Sequence, residues 1–363
     1  FMDRRKLLPS LDLGAGVSVQ APESFGPALD RLAKRRVRVD PGAMPAWVLD
    51  RLSAAHAVLD RGADPCMLPK ACKNAVELEG LRRAHRRDGA ALCRFLAWLS
   101  RQSGLSECAA ADALEGFRRQ GDFFTGLSFP TISGAGPNGA IVHYHSTPRT
   151  DRIIEPGQIF LLDSGAQYLD GTTDVTRTLA IGTPPEEARQ RFTLVLKGHI
   201  ALALARFPAG TTGSQLDVLA RRPLWQAGLD YDHGTGHGVG SYLGVHEGPQ
   251  RISKAPSTVA LKPGMVLSNE PGYYKAGAYG IRIENLVAVT SLSPPPGAER
   301  EMLGFETLTL VPIDRALVEP ALLTAEERDW LDTYHRQVFE RVSPTLDTKV
   351  TDWLKAATQP VGV

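Results

Sequence analysis

Residues 161–178 read LLDSGAQYLDGTTDVTRT, and this stretch predicts two strands that meet around a turn. An apolar run precedes Asp163 and a β-branched run follows Asp174, so each aspartate lies at the end of a predicted strand. Asp170-Gly171 between them is a turn signal of the hairpin type. A hairpin brings the two aspartates side by side, where two ionised carboxylates repel each other.

Two further acids occupy positions that are unfavourable for an isolated charge. Glu270 follows a predicted strand over 265–268, and Glu284 lies inside a predicted strand over 281–289. Burying an ionised carboxylate costs several kcal/mol unless positive charge compensates it. Since Arg282 supplies only one positive charge for the four acids, the sequence predicts a metal centre.

A glycine-rich segment, HGTGHGVG over 233–240, supplies an imidazole at His237. Its glycines allow the backbone to approach a ligand closely. Four carboxylates and one neutral imidazole carry four negative charges, which two divalent ions cancel at a separation of roughly 3.5 to 4 Å. Mostly oxygen ligands with one imidazole favour Mn²⁺, with Zn²⁺ or Co²⁺ as the alternatives.

The rest of the pattern predicts an α+β protein. Hairpin-type turns and an irregular alternation of elements favour antiparallel pairing over a doubly wound parallel sheet. A capping box is predicted at Ser214–Asp217, ahead of one more helix. The predicted helices cover 46–59, 74–99, 108–120, 186–206 and 324–342, and the remaining predicted strands cover 141–143, 158–162 and 175–181.

Charge and composition limit the partners. Lysine and arginine number 41 against 40 aspartates and glutamates, giving a net charge of +1. Such a balance predicts no nucleic-acid or membrane partner. No apolar run approaches the roughly 20 residues of a membrane span, and we expect a cytoplasmic protein. Cys66, Cys72, Cys93 and Cys108 match no zinc-binding spacing, so reduced thiols are expected.

Six segments together resemble the Xaa-Pro aminopeptidase (aminopeptidase P) branch of the creatinase/methionine aminopeptidase superfamily, peptidase family M24. The resemblance extends from about Pro69 to the C-terminus. It is carried by GPNGAIVHYHSTP, LLDSGAQYLDGTTDVTRT, HGTGHGVGSYLGVHEGP, NEPGYY, GIRIEN and FETLTLVP. The implied fold is the pita-bread fold, an antiparallel sheet backed by helices with a dinuclear centre in its cavity.

The resemblance also implies a ligand set for two ions, most often manganese. Asp174 and Glu284 bridge the ions, Asp163 completes one site, and His237 with Glu270 completes the other. A water between the two cations is acidified and attacks the scissile carbonyl. Glu270 is then the candidate proton acceptor.

Further residues are implied around the ligands. His143, His233 and His246 hold the substrate and the tetrahedral intermediate. The proline pocket is walled by His143, His246 and Tyr274, and Arg282 orients a ligand carboxylate. The other histidines are assigned to the surface or to helix packing: His56, His85, His145, His199 and His335.

Long relatives carry additional N-terminal domains. The chain opens on Phe1 and its first segment is short for an independent core, so we expect a truncated N-terminus. Residues 1–67 are predicted to be the remnant of a creatinase-like domain, and residues 68–363 the catalytic pita-bread domain. A homodimer is expected.

The implied activity is release of the N-terminal residue from peptides with proline in the second position. A prolidase that cleaves only Xaa-Pro dipeptides is the nearest alternative. Two alternatives of other kinds are a non-catalytic pita-bread binding module and a metal-free amidinohydrolase. Retention of all five ligand types argues against both of these.

Overall fold

The computed structural model describes residues 1–362, which divide into two compact units. The first unit is Phe1–Pro69, and the second begins at Lys70. No helix within residues 1–362 has both the length and the apolar character needed to cross a membrane. The descent of the first unit from a creatinase-like domain stays a prediction.

The first unit is built around one parallel pair of strands. Its elements are α1 (Phe25–Asp30), β1 (Arg36–Val39), α2 (Ala46–Ala54) and β2 (Val58–Arg61). The predicted helix over 46–59 is too long, because His56 has a φ of 57° and ends the helical path. Leu59 instead pairs with Val37 across the two strands.

Six helices form the α part of the second unit. The helix α3 (Met67–Ala71) precedes them, and the six are α4 (Ala75–Leu99), α5 (Glu107–Arg119), α6 (Glu186–Ala203), α7 (Gly213–Gln226), α8 (Ala325–Val342) and α9 (Thr348–Ala357). The helices predicted over 74–99, 108–120, 186–206 and 324–342 are confirmed, and α9 was not predicted.

Capping side chains fix where these helices begin. Asn74 accepts hydrogen bonds from the first turn of α4, while the Glu77 carboxylate accepts one from the Asn74 N–H. At α7 the predicted box at Ser214 is wrong by two residues, since the Thr212 N–H donates to Gln215 Oε1 at 2.8 Å. Ser214 already lies inside the helix.

The strands of the second unit pair antiparallel, as predicted. The strands are β3 (Phe124–Leu127), β4 (Ile132–Ala135), β5 (Ile159–Ser164), β6 (Ala166–Tyr168), β7 (Gly171–Thr172), β8 (Val175–Ala180), β9 (Phe207–Pro208), β10 (Gly236–His237), β11 (Arg251–Ile252), β12 (Val266–Asn269), β13 (Gly272–Lys275), β14 (Tyr279–Arg282), β15 (Asn285–Leu292) and β16 (Met302–Thr307). They form sheets in the orders β12-β15-β16-β9, β4-β5-β8, β3-β6-β7, β13-β14 and β10-β11.

Two strand predictions are wrong in ways that concern the cavity. The segment 141–143 is not a strand, because its backbone turns back on itself: the Ile141 N–H donates to Asn138 O, and the Tyr144 N–H to Ile141 O. The strand predicted over 281–289 is interrupted after Arg282, so Glu284 lies between β14 and β15.

Helices cover the outer side of the sheets. Leu196 of α6, Val338 of α8 and Leu354 of α9 are all fully buried in one cluster with Ile281 of β14. Each buried aliphatic side chain contributes about 1.5–3 kcal/mol relative to exposure. This packing holds the strands that carry the candidate site.

Candidate metal centre

The second unit contains a cavity of about 680 Å³, lined by all five predicted metal ligands. Each ligand lies at a strand end or in a short strand. Asp163 is in β5, Asp174 precedes β8, His237 is in β10, Glu270 follows β12, and Glu284 separates β14 from β15.

The predicted hairpin between the two aspartates is present in a wider form. β5 pairs directly with β8, with Asp163 opposite Thr176, while the Asp170-Gly171 turn joins a smaller hairpin of β6 and β7 at the tip. This register brings Asp163 and Asp174 to the same end of the pair.

Three of the residues have potential ligand atoms within 4.8 Å of one another: Asp174, His237 and Glu284. His237 Nε2 lies 3.4 Å from Asp174 Oδ2 and 3.5 Å from Glu270 Oε1. Asp163 Oδ2 lies 2.6 Å from the Arg282 guanidinium. The structure thus brings the five side chains together, and their shared role as ligands stays a prediction.

The orientation of the His237 ring is set by its own backbone. The ring Nδ1 lies 3.0 Å from Gly238 O, a carbonyl that can only accept, so Nδ1 is a donor here. This contact turns Nε2 toward Asp174 and Glu270. A Cβ at Gly236 would overlap the Ser268 carbonyl oxygen, so glycine is required beside this histidine.

Several buried carboxylate oxygens have no hydrogen-bond donor among the described residues. They are Asp163 Oδ1, Asp174 Oδ1 and Glu284 Oε1. Burial, and next the neighbouring carboxylates, raise the pKa of Asp174 and Glu284 well above the ordinary range, and burial also raises the pKa of Glu270. Unpaired oxygens grouped around one imidazole fit divalent cations of intermediate hardness.

Arg282 is the cation closest to these acids, and it is shared among several partners. It donates to Asp163 Oδ2 at 2.6 Å, to Tyr274 OH at 2.6 Å and to Thr176 Oγ1 at 3.2 Å. One guanidinium cannot neutralise four carboxylates, so the charge deficit expected from the sequence is present in the fold.

A directed chain of hydrogen bonds connects Arg282 to His233. The arginine donates to Tyr274 OH, whose proton then points to His233 Nε2 at 2.8 Å, while His233 Nδ1 donates to Gly234 O. Burial lowers the pKa of His233 to about 3 and raises that of Tyr274 to about 12, so both groups are neutral. Both nitrogens of His233 are occupied in this arrangement.

The remaining predicted histidines lie on the cavity wall. The rings of His246 and His237 meet edge to face with centroids 4.2 Å apart. His143 is exposed on the loop that was predicted to be a strand. His145, which the sequence assigns to the surface or to helix packing, is exposed but also lines the cavity together with Val142 and His143 of the same loop.

The other histidines lie outside the cavity lining. His85, His199 and His335 are fully buried and bonded to backbone groups, in line with the predicted packing role. Burial lowers the pKa of His199 and of His335 to about 3. His56 lies in the first unit.

Two hydroxyl residues that contact the proposed metal ligands were not predicted from the sequence. Thr176 Oγ1 donates to Glu284 Oε2 at 2.8 Å, and Ser268 Oγ donates to Glu270 Oε1 at 3.0 Å while accepting from the His237 N–H. The signal for Thr176 was present, because alternate residues of a strand share one face and Thr176 is two positions after Asp174.

Comparison with known proteins identifies the family. A model described as metallopeptidase family M24 matches residues 79–291, and the C-terminal region of peptidase M24 matches residues 301–361. The chain belongs to metallopeptidase family M24. The M24 assignment covers every residue of the candidate metal centre.

Curated M24 relatives are similar over most of the chain. A probable Xaa-Pro aminopeptidase P from Laccaria bicolor is 52% identical over 301 residues, which cover 80% of this chain and 47% of the relative. Aminopeptidase P1 from Lotus japonicus is 46% identical over 351 residues, covering 89% of this chain and 53% of the relative. The chain therefore spans about half the length of these relatives.

Solved M24 structures share the fold. X-prolyl aminopeptidase from Caenorhabditis elegans, described as a cytosolic enzyme with a di-nuclear active site, superposes with a TM-score of 0.86 at 39% identity, covering 93% of this chain and 57% of that one. For the Xaa-Pro dipeptidase from Bacillus anthracis the TM-score is 0.66 at 27% identity, with 79% and 77% covered. The predicted pita-bread fold is confirmed.

Proposed function

We propose that this chain carries the catalytic unit of a metal-dependent aminopeptidase that releases the N-terminal residue from peptides with proline in the second position. The observation that carries the proposal is a set of four acids and His237 that line one cavity of about 680 Å³, with buried oxygens of Asp163, Asp174 and Glu284 that have no donor among the described residues. The likeness to Xaa-Pro aminopeptidases across the same residues supports the reaction class.

Five residues would hold two divalent ions at this floor: Asp163, Asp174, His237, Glu270 and Glu284. Manganese is the proposed metal, since oxygen donors outnumber the single imidazole. The chemistry supplied there by bound divalent ions is a water of lowered pKa and a polarised scissile carbonyl. Asp174, His237 and Glu284, whose potential ligand atoms lie within 4.8 Å of one another, would form the centre of this ligand set.

Glu270 is the proposed general base. Its carboxylate accepts a hydrogen bond from Ser268 Oγ at 3.0 Å and faces His237 Nε2 at 3.5 Å, which fixes its position in the cavity. Burial raises its pKa, and a higher pKa brings a carboxylate nearer to the working pH of a general base. The proton taken up at its oxygen is then available for the leaving amine nitrogen.

The cavity wall is the proposed substrate-recognition surface. A peptide bond before proline has no N–H, so the leaving group must be selected by the shape of its ring. His143, His246 and Tyr274 offer flat ring surfaces for this purpose. Arg282 orients Asp163 and Tyr274, while His233 fixes the hydroxyl of Tyr274.

The test is a comparison of three peptides with the purified chain in MnCl₂. Cleavage of Xaa-Pro-Xaa at the first bond, with Xaa-Ala-Xaa left intact, supports the proposal. Cleavage of Xaa-Pro dipeptides alone would assign the chain to the dipeptidase class. Metal binding without hydrolysis of any of the three would indicate a non-catalytic binding module.

A further inference from the structure

Arg177 is a buried arginine that the proposed chemistry does not use. It lies in β8, three residues after Asp174, and is 2% exposed. It is not among the described residues that line the cavity. Burial of a guanidinium is costly unless opposite charge or hydrogen bonds compensate it, so the presence of this arginine needs a physical reason.

Three other arginines of the second unit are buried, Arg118, Arg221 and Arg282, and each of them is paired with a carboxylate. Arg118 pairs with Asp88 at 2.9 Å, and Arg221 pairs with Asp217 at 2.6 Å. Within residues 1–362, no carboxylate oxygen lies within 4.0 Å of the Arg177 guanidinium. Arg177 is therefore a buried positive charge without an acid of its own.

Neutral oxygens from four parts of the chain surround the guanidinium instead. They belong to β8, to the junction between β14 and β15, to the segment after β16, and to α8. The acceptors are Thr176 O at 2.8 Å, Glu284 O at 2.6 Å, Asn285 Oδ1 at 2.8 Å, Val311 O at 2.7 Å, Pro312 O at 3.0 Å and Tyr334 OH at 2.8 Å.

Two of these bonds act directly on the metal centre. The same nitrogen, Nη1, binds the backbone oxygens of Thr176 and Glu284, so it joins β8 to the junction that carries Glu284. On the cavity side, Thr176 Oγ1 donates to the Glu284 carboxylate. These contacts hold β8, which begins one residue after Asp174, against the segment that carries Glu284.

We propose that Arg177 is a positioning residue that holds Asp174 and Glu284 at metal-ligand spacing. The inference rests on the proposed metal centre and is independent of peptide specificity. It predicts that a change at Arg177 weakens metal binding more than an equally destabilising change elsewhere in the fold does.

The test compares Arg177→Lys with Arg118→Lys, a matched change at a buried arginine that has its own acid. Lysine keeps the charge but has three donors and cannot reach all six oxygens. Each EDTA-treated protein is titrated with MnCl₂ by calorimetry at a temperature where circular dichroism shows it folded, and Tm is measured in parallel. We expect Arg177→Lys to weaken Mn²⁺ binding by about 10- to 100-fold, the range for residues that orient ligands.

The control distinguishes positioning from packing. Arg118→Lys is expected to lower Tm while its Mn²⁺ affinity remains that of the parent. In Arg177→Lys, excess MnCl₂ should restore most of the lost kcat. A folded Arg177→Lys protein with parental Mn²⁺ affinity and only a lower Tm would overturn the inference.

If Arg177→Lys does not fold, Tyr334→Phe removes one of the six acceptors and decides the matter: weaker Mn²⁺ binding supports the inference, and unchanged binding overturns it. If the parent chain itself binds no Mn²⁺, the proposed metal centre is wrong. If the parent binds Mn²⁺ and the Arg177 and Tyr334 variants bind it with the same affinity, only the proposed role of Arg177 is wrong.

Discussion

The cavity has a floor, formed by the five proposed ligands, and a wall that includes His143, His145 and His246. The two parts are built differently. The floor residues lie at strand ends fixed by sheet register, and Asp174 and Glu284 are buried. On the wall, His143 and His145 are exposed on a loop. Rigid elements hold reacting groups more accurately than loops do. We infer that the floor determines whether a reaction occurs and the wall determines which peptide is bound.

The wall loop nevertheless has an anchor. Glu107, fully buried at the start of α5, accepts hydrogen bonds from Ala135 N at 2.7 Å, Tyr144 OH at 2.9 Å and Arg152 N at 3.2 Å. Tyr144 lies between the two wall histidines, so its hydroxyl ties their loop to α5. The wall loop is thus held through contacts with the start of α5, whereas the floor is held along several strands.

Metal removal should have the largest effect on activity, because it acts on the floor, where the reaction is proposed to occur. We expect EDTA to abolish Xaa-Pro-Xaa hydrolysis and to lower Tm, since buried carboxylates then repel each other without compensation. Activity and differential scanning fluorimetry, before and after MnCl₂ is restored, check this. Full activity or an unchanged Tm after verified metal loss would contradict the account of the floor.

Glu270→Gln should have the next largest effect. The variant keeps the shape of the side chain but cannot accept a proton, so kcat should fall by about 10²- to 10⁴-fold, the contribution of a general base. Because Glu270 is also a proposed ligand, kcat is compared at MnCl₂ concentrations that give the parental metal content. A kcat within a factor of a few of the parent at that content would remove Glu270 from its role.

The pH dependence of stability sharpens the comparison further. In the metal-free protein the raised pKa values of Asp174 and Glu284 mean that the native state takes up protons more readily than the unfolded state. Stability of the metal-free form should therefore gain as pH falls through those raised values, while bound metal competes with the protons. The Tm difference between loaded and metal-free protein should shrink on acidification. A difference that grows would contradict the charge account.

Changes to the wall should be smaller and should concern substrate binding. Tyr144→Phe removes the hydroxyl that donates to Glu107, at a cost of about 1 kcal/mol in unfolding free energy. Because the loop is then held less firmly, Tyr144→Phe should raise KM severalfold while leaving kcat near the parental value. We expect the same result for His145→Ala. Steady-state kinetics on Xaa-Pro-Xaa peptides provide the check. A kcat loss as large as that of Glu270→Gln would erase the distinction between floor and wall.

His335→Gln should have the smallest effect on catalysis. His335 accepts the Ile313 N–H and lies away from the cavity lining, so turnover should not change. Its pKa is about 3 in the fold against 6.5 when unfolded, so the unfolded state binds the proton first and the parent loses stability as pH falls below 6.5. For each unit that the pH falls in that range, the variant should lose about 1.4 kcal/mol less unfolding free energy than the parent does. Identical pH slopes would contradict the buried, neutral assignment.

The sequence predicted the floor better than the wall. Asp163 and Asp174 were located by strand patterns and a turn signal, and sheet register then determines their positions. The segment 141–143 was predicted as a strand from its apolar residues, but it turns between Asn138 and Tyr144, two residues that bind Glu107, which is distant in sequence. Local periodicity carries no information about such a contact.

The interruption at Glu284 has a similar cause. Apolar residues on both sides suggested one strand, whereas the structure divides it between the β13-β14 pair and the larger sheet. The Glu284 N–H donates to Thr176 O, a partner more than a hundred positions earlier. Arg177 was also missed, because a buried arginine among neutral acceptors cannot be distinguished by sequence from one on the surface.

The most direct test of the central claim is calorimetric titration of the EDTA-treated chain with MnCl₂, with Xaa-Pro-Xaa hydrolysis measured at each point. We expect two ions to bind per chain, Asp174→Asn to lose that stoichiometry, and hydrolysis to follow site occupancy. Absence of Mn²⁺ binding, or parental binding by Asp174→Asn, would contradict it.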